Sequence, residues 1–105
     1  MNWDNRSSRR DELIQRAQEL ADALPEGSKS EMQKILHYYL RHESYGQMME
    51  LLKIRQPNRG KDSQIRWQGV AAALKAKRER MELYQPGEIA FILGWATRLM
   101  HRSNN

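Results

Sequence analysis

IAFILGWATRLM, from Ile89 to Met100, is the stretch whose reading decides the fold. Ten of its twelve positions are apolar or small, and its one charge is Arg98. Wound as a helix, it places Ile89, Ile92, Leu93 and Ala96 along one side and Phe91, Trp95 and Leu99 round the flank. A helix that is apolar on more than one face belongs inside protein. Its twelve residues are too few to cross a bilayer, which takes about 20. The cover must come from the chain's own core or from a partner, and Phe91 and Trp95 are the candidates for a partner interface.

Working back from this stretch, Gln85-Pro86-Gly87-Glu88 is a break, with Pro86 near the first turn of the helix that follows. Before it, a helix opened by Asp62 or Ser63 turns Ile65, Trp67, Val70, Ala73, Leu74, Met81 and Tyr84 to its apolar side, and Gly69 with Ala71 to Ala73 would let another helix approach. Gln56 to Asp62, QPNRGKD, is a loop with no apolar residue. A helix ending there points Tyr45, Met48, Met49 and Leu52 inward; Ser44 with Gln47 is its cap, after a bend at Glu43 to Gly46. Ser28 with Glu31 reads as a capping box, in competition with Ser30 and Gln33, ahead of a stripe of Met32, Ile35, Leu36, Tyr39 and Leu40. The first helix runs from a cap at Ser7 or Ser8, with Asp11 and Glu12 in its first turn where the helix dipole favours acids. Leu13, Ile14, Ala17, Leu20, Ala21 and Leu24 form its stripe, Glu12 and Arg16 an i,i+4 pair, and Pro25 ends it. Nothing alternates with period two. The expectation is an all-α single domain over 1–105, a compact bundle of four to five helices around the C-terminal apolar helix, with 1–6 and 103–105 as loose ends. The methionines at 32, 48, 49, 81 and 100 fall inward, as core fillers or as an adaptable partner groove.

The net charge is +5, and its distribution says more than its size. Residues 1–50 carry seven Lys/Arg against nine Asp/Glu, residues 51–80 nine against two, and residues 81–105 two against two. Clustered cations attract a polyanion and gain entropy by releasing its counterions, although cations on an outer helix face are also ordinary. The residues expected to contact nucleic acid are Arg55, Arg59, Lys61 and Arg66 around the loop, and Lys75, Lys77, Arg78 and Arg80 on the helix after it. A band of charge without a reading head suits a phosphate backbone, of RNA or DNA, better than base edges. Trp67 could stack on an unpaired base beside Arg66, although a Trp opening an amphipathic helix more often anchors it to the core.

No catalytic motif is present. There is no cysteine, and His37, His42 and His101 lack metal-site spacing, so neither metal, cofactor nor small-molecule substrate is expected. The carboxylate pairs have simpler explanations: the dipole for Asp11 and Glu12, salt pairing for Glu79 and Glu82. The N-terminus lacks the apolar run of a signal peptide, and the cytoplasm is the expected location.

The helix SKSEMQKIL, from Ser28 to Leu36, together with the closing apolar helix, small size and basicity, resembles the small helical subunits of type III CRISPR effector complexes. The resemblance covers less than a third of the chain. It implies a non-catalytic subunit of a ribonucleoprotein complex in antiviral defence, repeated along a guide RNA and its target, beside other protein subunits. The QPNRGKD loop departs from that pattern, and no functional residue is carried over. Two other readings stand: a small adaptor or regulator docking through its apolar C-terminal helix, and a helix-turn-helix DNA-binding protein reading bases with Gln64, Arg66 and Gln68.

Overall fold

The computed structural model describes the backbone of residues 2–55 and 61–103, and the side chains of 8–54 and 62–100. Five helices follow in order: α1 (Asn2–Ala23), α2 (Lys29–His42), α3 (Tyr45–Arg55), α4 (Lys61–Met81) and α5 (Pro86–Ser103). The protein is an all-α bundle. Its shortest dimension is 21 Å, the depth of two helices of about 10 Å each, so the architecture is two helix layers deep.

The expected apolar helix takes the largest share of the packing. α5 lies mainly against α1 and then α2, while α4 packs on α3, α1 and α2. Ile89, Ile92, Leu93 and Ala96 are buried, and Phe91, Trp95 and Leu99 half-buried, as the residue spacing requires. The other end of the core is built by Tyr45, Met48, Met49 and Leu52 of α3 with Trp67, Val70 and Leu74 of α4. All five methionines expected inward are buried. Thr97 reaches the interior because its hydroxyl donates to the Leu93 carbonyl at 2.9 Å, which satisfies it within its own helix.

The helix ends show where local signals prevailed. Ser44 caps α3, its Oγ accepting from the Gln47 amide at 3.2 Å. Glu43 closes α2 in the left-handed region at φ 51°, its amide donating to the Tyr39 carbonyl. Pro86 opens α5, and Glu88 Oε1 accepts from the Gln85 amide at 3.0 Å, half of a capping box.

Several expectations are corrected. The stretch 2–6 is part of α1, not a loose end, and α5 runs through residue 103, with 104–105 outside the described residues; no Pro or Gly interrupts 2–23. Asp11 and Glu12 therefore sit in the middle of α1, and the dipole does not account for them. The box at Ser28 does not form. The Ser28 hydroxyl donates to the Pro25 carbonyl at 2.6 Å, and Glu31 bonds to Arg66. Leu40 and Ile65 are exposed, at 55% and 56%, because each lies at the edge of a stripe that no helix covers. The small surface at Gly69 admits no helix but the Pro25 ring: a Cβ there would come within 2.7 Å of Pro25 Cγ. Trp67, 1% exposed, is a core residue, so it offers no face to a base.

Candidate nucleic-acid interface

The eight cations singled out in the sequence divide into three groups. The side chains of Arg55, Arg59 and Lys61 lie outside the described residues. Arg66 is committed internally: its Nε donates to Glu31 Oε2 at 3.1 Å, and the Glu31 side chain is only 6% exposed. A buried carboxylate deprived of its counter-charge is costly, so Arg66 is held by Glu31 although its side chain stays 35% exposed. The remaining four are on α4.

Those four do not form one continuous band. Arg78 lies over Gly46 at the start of α3 and bonds Glu82 Oε1 at 2.9 Å, both side chains being nearly half exposed. Arg80 turns to α1, where its Nη1 is 3.7 Å from Glu19 Oε1. Lys75 is exposed and Lys77 half-buried, and neither makes an ion pair among the described residues.

The packing of α1 on α4 adds a cation that the charge count assigned to the acidic half of the chain. Arg16 donates from Nη1 to Glu19 Oε1 at 2.7 Å, one turn along α1, rather than pairing with Glu12. Its Nε is buried without a hydrogen-bond partner, a state that costs about 1–3 kcal/mol. Arg16 and Arg80 thus share the carboxylate of Glu19, and Lys77 lines the same small cavity without pairing to it. Above them opens a cleft of about 450 Å³, lined by Glu19, Lys77, Glu79, Arg80 and the exposed Leu83. The signal for Arg16 in the sequence is its place on the flank of the α1 stripe, three residues from Glu19 and one from Ala17.

Glu12, released from Arg16, accepts the hydroxyl proton of Tyr84, and Arg9 forks onto Glu88 through Nε at 2.7 Å and Nη2 at 2.9 Å. The Arg9 guanidinium also stacks 5.0 Å from the Tyr84 ring centre. Burial, then the bond to Glu12, pushes the Tyr84 phenol up. The hydrogen bond from Arg9, then the Gln85 amide, holds the Glu88 carboxyl below its ordinary value. These contacts clamp α1 to the α4–α5 turn.

Of the helix-turn-helix set, Arg66 is paired with Glu31, between the half-buried Gln64 and the exposed Gln68. No group of three or more His, Asp or Glu side chains able to hold a metal occurs among the described residues, and none of the described helices is long and apolar enough to cross a membrane. The described residues form five helices, with a cleft of mixed charge between α1 and α4. No protein-family model, no curated protein and no solved structure matches the chain.

Proposed function

We propose that this protein is a non-enzymatic, nucleic-acid-binding subunit of a larger assembly, which grips an RNA or DNA backbone with the α1–α4 cleft and the outer face of α4. The observation that carries this reading is the sharing of the Glu19 carboxylate by Arg16 and Arg80, beside Lys75 and Lys77, which make no ion pair among the described residues. Arg80, 60% exposed, can exchange its carboxylate for a phosphate, because exposed ion pairs are worth only about 0–1 kcal/mol. Arg55, Arg59 and Lys61 extend the same run of charge in sequence. The absence of an aromatic stacking face on α4 favours backbone contact over base recognition. The resemblance to small subunits of type III CRISPR complexes agrees with RNA as the polyanion, and the half-exposed flank of α5 with neighbouring protein subunits.

The test is a titration of fluorescent single-stranded RNA and DNA at about 50 and about 200 mM salt. Affinity should fall with salt, and Lys75→Glu with Lys77→Glu should weaken binding and reduce the salt slope by about 1 per lost contact. Glu19→Gln, which frees Arg16 and Arg80, should strengthen binding. Affinity indifferent to salt and to all three substitutions refutes the reading.

A further inference from the structure

α2 and α5 lie side by side and bound an open groove of about 740 Å³, lined chiefly by Leu36 and His37 of α2 and by Ala90, Phe91, Gly94 and Trp95 of α5. Three observations bear on what it holds. Phe91 and Trp95 are only half-buried, so the bundle leaves apolar ring surface uncovered. The lining includes the cations Lys29 and Arg98 but no Asp or Glu. Gly94 weakens α5 relative to alanine, yet the bundle does not require it: a Cβ there would meet only Leu36 Cδ2, at an ordinary 3.9 Å. A helical glycine that its own fold does not need leaves room for a close approach from outside.

The ring geometry excludes a stacked base as the natural occupant. The Arg98 guanidinium already lies over Trp95, 5.3 Å from the ring centre. Phe91 and Trp95 are inclined at 49° with centres 6.1 Å apart, which leaves no parallel slot. A second copy of the chain fits poorly, because a two-fold contact through this groove sets the Lys29 and Arg98 rims against themselves. A helix fits. From Ala90 to Arg98 the groove runs about 12 Å, two turns of helix, over a floor low enough for a backbone to come near.

We infer that the α2–α5 groove docks an amphipathic helix of a partner protein, with its apolar stripe on Leu36, Phe91 and Trp95 and its flanking carboxylates on Lys29 and Arg98. This helix-in-groove contact uses neither Lys75 nor Lys77, so it stands or falls separately from the nucleic-acid reading.

The probe is a displayed library of roughly 14-residue helical peptides, selected against the full chain and followed by titration of the selected peptides with amide and indole NMR. The expected consensus has apolar residues at i, i+3 or i+4, and i+7, flanked by Asp or Glu, and it shifts the Gly94 amide and the Trp95 indole. Trp95→Ala and Arg98→Glu should each weaken the selected peptide by about tenfold. Gly94→Ala should raise the melting temperature while lowering affinity, a combination that a purely structural glycine does not give. The inference is overturned by the absence of any enriched sequence, by a consensus without acids, or by affinity unchanged in all three variants. It is also overturned if RNA, or self-association of the chain alone, shifts the same two resonances.

Discussion

Replacing Arg66 with Met separates a structural cation from a nucleic-acid ligand. The substitution keeps the length and apolar stem of the side chain but leaves Glu31, 6% exposed, without the Nε–H now 3.1 Å from its Oε2. Removing one partner of a fully buried pair costs about 3–5 kcal/mol. Here the Arg66 side chain is 35% exposed, so water reaches one end of the pair, and Ser30 Oγ remains 3.3 Å from Glu31 Oε1. A loss of about 2 kcal/mol follows, or about 8–16 °C in melting temperature for a domain near this size. Urea unfolding followed by circular dichroism measures it. The double variant Arg66→Met with Glu31→Leu should recover most of the loss, giving a coupling energy above about 1 kcal/mol. Below its melting temperature, Arg66→Met should bind RNA with the wild-type salt slope. A loss under about 0.5 kcal/mol, or additive single effects, would refute the structural assignment, and a flattened salt slope would return Arg66 to the nucleic-acid surface.

Two further outcomes test the packing. Gly69→Ala should destabilise the protein by about 1 kcal/mol although alanine favours the helix by about that amount, because its Cβ would stand 2.7 Å from the stiff Pro25 ring and overpacking costs about 1–3 kcal/mol; a gain in urea-unfolding stability would show that the α1–α2 turn yields. Tyr45 donates its hydroxyl to the Leu74 carbonyl at 2.6 Å, and burial pushes its phenol well above the ordinary range. Above about pH 10 the unfolded chain releases that proton while the folded one keeps it, so stability falls as pH rises. Tyr45→Phe should therefore lose about 1 kcal/mol at neutral pH but show a shallower alkaline decline in melting temperature. Burial also raises Tyr39 and Tyr84, so the decline is reduced rather than abolished, and an unchanged slope would refute the role given to Tyr45.

What the sequence disclosed was whatever depends on neighbours within a turn or two. The inward faces of α3 and α5 follow from spacing alone, and Ser44 caps α3 with a bond three residues long. The failures have distant causes. Periodicity gives the centre of a stripe but not its width, so it could not tell that Leu40 and Ile65 lie beyond the reach of any neighbouring helix. The Ser28–Glu31 box is a sound local motif, and it is absent because Arg66, 35 residues away, binds the carboxylate. Gly69 was recognisable as a point of close approach, but that a proline ring rather than a helix fills it depends on how the α1–α2 turn crosses α4. Of the candidate interface, Lys77 and Arg80 could be read from charge, whereas Arg16 joins them only because α1 packs against α4.

Charge counted along a chain and charge gathered in space are different quantities, and burial of the acids connects them. The cation-rich span 51–80 gives Arg66 to Glu31 and Arg80 to Glu19, both acids of the preceding half, and Arg78 to Glu82 of the next segment, while Arg16 joins from α1. These pairs are not equivalent. Glu31 is buried at 6% exposure, and parting with Arg66 would leave its carboxyl group buried without that partner. Glu19 at 34% and Glu82 at 48% can be rehydrated, so parting with Arg80 or Arg78 costs about 0–1 kcal/mol each. The exposure of the acid, more than that of the base, therefore orders the cations available to a polyanion: Lys75 and Lys77 first, Arg78 and Arg80 next, and Arg66 last.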